Sequence, residues 1–241
     1  MTAIYKREMY SFFTSPIGYA YIAMFCALSN LAFCYFTLLA GADSSVSSFF
    51  TSEILIMALM TPLLTMKSFS EERKFGTEQL LLTSPVTLPG FVGAKFLASY
   101  SMFAISFLIT CLDYPIMFSY LSDSYLFQYN AVTALGGCVA LLLIGAAFIS
   151  IGLFISSLTE NQMISAVGTI TILAALLGIS MLNSYIGFAP LRAVFRWLSI
   201  YSRFSGFSAG YFDFASLLYY ASFTIVCLFL SVRVFEKRRW A

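Results

Sequence analysis

Histidine is absent from this sequence, and charge is scarce. Only 10% of the 241 residues are Asp, Glu, Lys or Arg, against roughly 25% in an ordinary soluble domain. Without histidine, the commonest metal ligand and the commonest general base are both missing. The five cysteines, Cys26, Cys34, Cys111, Cys138 and Cys227, all lie inside apolar runs, and none forms a CxxC. Packed or lipid-facing thiols are therefore expected, rather than a zinc site or a disulfide framework. No basic tract points to nucleic acid. A phosphate loop of the form GxxxxGK followed by Ser or Thr is also lacking, as is any LSGGQ-like string. Gly93-Ala94-Lys95-Phe96 has neither the spacing nor the hydroxyl residue. ATP hydrolysis, and ATP with Mg as cofactors, are not expected on this chain.

What the sequence has in abundance is apolar length. Hydrophobic residues make up 60% of the chain, and the mean hydropathy is +0.88. A water-soluble fold of this size could not hide that much apolar surface. Apolar runs cover Ile17–Ala40, about Val46–Met66, about Phe91–Leu121, Ala131–Ser157, Met163–Phe188 and Phe214–Val234; the second is uninterrupted only over the 13 residues Ile54–Met66, so to span it must include Glu53 or begin in the polar SSVSSFFTS stretch, and the third is interrupted by Lys95 and Asp113. Each approaches or exceeds the ~20 residues that cross a bilayer as a helix. None alternates polar and apolar residues as a barrel strand would. The expectation is an all-α, polytopic integral membrane protein of six transmembrane helices, one domain over residues 1–241. The opening MTAIYKREMYSFFT is amphipathic and fits an interfacial helix over residues 1–15, not a cleaved signal. Residues 188–212 interleave Arg192, Arg196 and Arg203 with Leu191, Phe195, Leu198 and Phe204, and fit short extracytoplasmic re-entrant helices.

Six spans put Lys6, Arg7, Lys67, Arg73, Lys74, Lys95, Arg233, Lys237, Arg238 and Arg239 on one side, and only Arg192, Arg196 and Arg203 on the other. Ten against three places both termini in the cytoplasm by the positive-inside rule. An odd number of spans would set the two basic ends against each other.

The longest cytoplasmic loop, residues 67–85, reads KSFSEERKFGTEQLLLTSP. Its charges cluster at Glu71, Glu72, Arg73 and Lys74, Gly76 breaks the run, and Thr77 can cap a short helix carrying Leu80, Leu81 and Leu82. One reading is a solvated polar loop. The other is a docking helix that presents mixed charge and a leucine face to a soluble partner. The tight turn SSLTENQ, with Glu160 and Asn161, reads as a helix-capping turn that could also form a second contact. Two carboxylates fall within the spans, Glu53 at the head of the second and Asp113 near the end of the third. Each is open to an interfacial placement with a polar partner or to a place in a transport path. Gly137, Gly145 and Gly152 allow close helix approach along the fourth span, most simply within the chain.

The strings MKSFSEERKFGTEQLLLTSPV and GLFISSLTENQMISAVGT, with the N-terminal amphipathic segment, the six spans and the late LSIYSRFSGFSAGYFDF, resemble the ABC-2-type transporter permeases. The resemblance covers nearly the whole chain and is greatest to the gliding-motility-type branch. It implies a half-transporter in a bacterial cytoplasmic membrane, paired with a second permease chain, identical or related. Two copies of a separate ABC ATPase subunit would dock on Glu71–Leu82 and on the Glu160–Asn161 turn. That branch further implies a subunit with a large extracytoplasmic domain. On this reading the chain is an exporter or envelope machine and not itself an enzyme. The competing class is an ion-coupled carrier or channel without an ATPase. It calls for ionisable residues at mid-membrane and an internal repeat, and the first three spans do not repeat in the last three.

Overall fold

A computed structural model describes residues 2–38, 46–77, 87–121, 131–182, 199–200, 203–204 and 213–239, and within these the side chains outside 37–48, 112–134 and 181–182. The secondary structure among the described residues is entirely helical. Helix α1 (Thr2–Thr14) precedes α2 (Pro16–Phe33), which runs on through a π-helical turn, Cys34–Leu38. Then come α3 (Val46–Thr65), the short α4 (Ser70–Lys74), α5 (Leu88–Leu121), α6 (Ala131–Leu158), α7 (Gln162–Leu182) and α8 (Phe214–Arg239). Six helical stretches are long and apolar enough to cross a membrane: Pro16–Phe36, Phe49–Lys74, Leu88–Cys111, Leu135–Leu158, Gln162–Ser180 and Phe214–Arg239. Their number matches the six spans expected from the sequence. The segment expected to lie at the interface forms a helix, α1, which buries none of its residues. The re-entrant segment 188–212 lies outside the described residues except at its positions 199–200 and 203–204.

Local chemistry accounts for the helix starts. Ser15 caps α2, its hydroxyl accepting from the Ile17 N–H at 3.2 Å, and Pro16 takes the first turn, where no N–H is needed. Asp213 caps α8 by accepting from the Ala215 N–H at 3.0 Å and the Ser216 hydroxyl at 2.6 Å. Those bonds, the Ser216 hydroxyl first, hold the Asp213 carboxyl below the ordinary carboxylate range. Lys237, Arg238 and Arg239 close α8 at the negative end of its dipole. Hydroxyls inside the apolar helices turn back to their own backbone, as Ser106 does to Met102, Ser150 to Ala147 and Ser231 to Cys227. A bilayer has no water to satisfy them otherwise.

The bundle is built around α6. Two-thirds (67%) of its apolar window is buried, against 17% for α7 at the periphery. Helices α3, α5, α7 and α8 all pack against α6. Its glycines make those approaches possible. A Cβ on Gly137 would lie 2.6 Å from the Phe50 ring, one on Gly145 2.2 Å from Phe103, and one on Gly152 2.3 Å from Thr65 Oγ1. Side chains of α3 and α5 thus occupy the small-residue face of the fourth span within the chain. Rings fill the rest of the core: Phe25 meets Phe103 edge-on at 6.1 Å, and Phe33 meets Phe49 at 5.6 Å.

Candidate functional site

The second span needs Glu53 in order to reach bilayer length, and α3 does include it, seven residues after its start at Val46. Glu53 is fully buried. One carboxyl oxygen accepts from the Ser29 hydroxyl of α2, and the other has no hydrogen-bond partner. Asp113 belongs to α5, and its side chain lies outside the described ones.

The charged residues gather at one end of the bundle, where α1, the end of α3, α4, the start of α5, the α6–α7 turn and the end of α8 meet. Lys95, one of the first residues of the third span, is 2% exposed. Its ammonium lies 3.2 Å from Glu8 Oε1 and 3.0 Å from Glu72 Oε1. It also donates to the Ser68 carbonyl. Phe69 and Phe91 place their rings 5.3 and 5.5 Å from the ammonium. From the rim, Arg7 reaches the same two carboxylates, at 2.9 Å to Glu8 and 2.8 Å to Glu72. Partial burial works against the Arg7 charge, but Glu8 and Glu72 outweigh it and hold the guanidinium above its ordinary value. Two cations and two anions alternate, so the buried lysine is compensated by both attraction and hydrogen bonding. The network joins the consecutive helices α4 and α5 to α1, some 65 residues earlier in the sequence.

Helix α4 is held just as firmly on its other side. Ser156 of α6 accepts from the Phe69 and Ser70 N–H groups, both at 3.2 Å, so the first turn of α4 is capped by a side chain more than eighty residues away. Arg73 forms an ion pair with Glu160 at 2.6 Å and donates to the Leu158 carbonyl at 3.1 Å. Asn161 caps α7, its side-chain oxygen accepting from the Met163 N–H at 2.9 Å. Arg238, near the end of α8, donates to the Ser157 carbonyl. Below this layer Phe69, Phe91 and Phe235 form a ring triangle with centroids 4.9 to 5.7 Å apart, one ring each from the α3–α4 turn, α5 and α8.

The two segments singled out in the sequence are therefore in contact, and Arg73–Glu160 is their link. Within the first, the residues divide. Glu72 faces inward to Arg7 and Lys95, and Arg73 faces the α6–α7 turn. Glu71 is half-buried beside an open cleft of about 450 Å³ that Arg7, Lys67 and Lys95 also line. Lys74, Gly76 and Thr77 are exposed. Gly76 adopts φ +70° and ends α4, a left-handed position that disfavours side chains. Thr77 donates its hydroxyl back to the Glu72 carbonyl at 3.2 Å. Leu81 and Leu82 lie outside the described residues.

Sequence reading did not single out Glu8, Arg7 or Ser156. The signal that could have found Glu8 is Lys95 itself: a lysine inside an apolar run calls for a carboxylate nearby, but spacing alone does not say which. At the opposite end Arg203 stacks over Tyr219 at 4.8 Å, while Arg192 and Arg196 lie outside the described residues.

Together these features define an all-helical bundle of the polytopic membrane class, closed at one end by interlocked charges. No family model matches the chain, and no characterised protein matches it.

Proposed function

We propose that this chain is the transmembrane permease subunit of an ATP-driven transporter, an exporter or envelope machine powered by a separate ATPase subunit. The observation that carries the reading is the interlocked end of the bundle. Helix α4 is tied to α1 and α5 through Glu72, and to the α6–α7 turn through Arg73 and Ser156. A push on α4 therefore moves the ends of several spans together instead of bending one loop. That is the mechanical property a coupling element needs. Lys74 and the segment beyond Gly76 would meet the ATPase, while Glu72 and Arg73 carry the motion inward. Two permease chains would pair with two ATPase chains. With both termini cytoplasmic, this end faces the cytoplasm.

The test is ATPase stimulation in reconstituted membranes at matched permease content, after co-purification of the full chain with its soluble partner. Lys74→Glu reverses an exposed charge and should weaken association most at low salt. Leu81→Asp should abolish stimulation while insertion stays normal, because an unpaired charge in a buried contact loses its hydration. Full coupling by both variants would remove this segment from the mechanism.

A second reading, an ion-coupled carrier, draws support from Glu53, a buried carboxyl with one unpartnered oxygen among apolar helices. It calls for uptake or efflux by vesicles under a proton or sodium gradient with no nucleotide present, and for loss of that transport in Glu53→Gln.

A further inference from the structure

Cys111 and Cys138 stand 27 residues apart in sequence, and their sulfurs lie 3.7 Å apart across the α5–α6 contact. Both are half-buried and both are reduced. Cys111 closes the apolar window of the third span, and Cys138 lies one turn into that of the fourth. At ~1.5 Å per residue, Cys111 is about 24 Å along its helix from Lys95, and Cys138 is about 30 Å along its helix from Leu158. Both distances are well beyond half the ~30 Å hydrocarbon layer, so the pair sits toward its far side and not in the middle of the bilayer.

We propose that Cys111 and Cys138 form an oxidisable dithiol, a modification site that closes to a disulfide and staples the third span to the fourth at the end of the bundle remote from Lys95. The sulfurs are already in van der Waals contact, so closing the bond calls for an approach of less than ~2 Å. The oxidant is a low-molecular-weight disulfide. One cysteine, as thiolate, attacks a sulfur of the oxidant and releases one thiol. The second then attacks the mixed disulfide and releases the other. The two cysteines lose two electrons and two protons, and the oxidant takes both to become two thiols. Of the remaining cysteines, Cys26 and Cys34 belong to α2 and its continuation, and Cys227 is buried in α8. The inference is independent of the transporter reading and of which side of the membrane this end faces.

The experiment uses the full chain purified in detergent and treated with dithiodipyridine, an apolar disulfide that enters the micelle. The protein is then denatured, alkylated, digested and read by mass spectrometry. The expected result is one dominant linked peptide joining Cys111 to Cys138, with no pyridylthio adduct on either, reversed by dithiothreitol. Cys111→Ser should leave Cys138 carrying the adduct, and Cys138→Ser should leave it on Cys111. Separate adducts on both cysteines of the wild type would overturn the proposal. So would two unmodified thiols at these positions, or a linked peptide that pairs either one with a different cysteine. Because the wild-type reading stands alone, a variant that fails to fold does not blunt the test.

Discussion

Lys95 shows how one residue can govern the charged end. A buried ammonium is tolerated only while carboxylates and carbonyls surround it, and here Glu8, Glu72 and the Ser68 carbonyl do so. Lys95→Met would keep the length of the side chain but leave Glu8 and Glu72 with Arg7 alone. The expected loss of stability is on the order of 3 kcal/mol, read as a lower unfolding temperature in detergent. Arg7→Gln, at the more exposed rim of the same network, should cost less than 1 kcal/mol or so. If both substitutions shift unfolding equally, the lysine is not the centre of the network. The same geometry makes Glu72→Lys a poor probe of an external partner. It would place a third cation beside Arg7 and Lys95 and damage the bundle end before any docking could be measured.

At the scale of elements, the fourth span sets the packing. Gly145→Val would drive its side chain into the Phe103 ring, and Phe103 is itself wedged against Phe25 and Phe107. Overpacking of this kind costs about 1 to 3 kcal/mol, so the folded yield and the unfolding temperature should both fall. Gly178→Ala in α7 is the matched control, since nothing lies within 4 Å of the added Cβ, and it should behave as the wild type. Equal behaviour of the two variants would mean that α6 does not approach its neighbours as closely as described. The glycines also bear on assembly. Their faces are filled by Phe50, Phe103 and Thr65 of the same chain, so pairing of two permease chains would have to use other surfaces. The spans themselves were legible as long, mostly apolar runs, the second reaching bilayer length with Glu53 inside it. The partner of each glycine was not, because a small residue permits close approach without naming what approaches.

At the scale of the whole molecule, the contacts bring α1, α4 and the end of α8 to one end, and with them the ten cations counted on one side in the sequence. Topology then has a direct test in a background lacking the native cysteines. A cysteine at Lys74, exposed at that end, should react with an impermeant thiol reagent only after the membrane is opened. One at Ser124, in the connection between the third and fourth spans, should react from outside. Labelling of Lys74→Cys from outside would invert the orientation and remove the basis for an ATPase contact there.

The sequence by itself determined the helical class, the number and approximate position of the apolar helices and the gathering of basic residues at one end. These depend on local quantities, apolar length and charge placement, that a bilayer reads residue by residue. It also marked the Glu71–Lys74 and Glu160–Asn161 segments as chemically unusual. Only the tertiary structure decided that Arg73 joins those segments, that Glu72 turns inward to Lys95 and Arg7 instead of outward, that Ser156 caps α4, and that Cys111 meets Cys138. The physical reason is the same in each case. A buried charge, an open helix end and a thiol each need a neighbour within a few ångströms, but their spacing along the chain does not specify it. Helix packing selects that neighbour from segments 23 to 87 residues away.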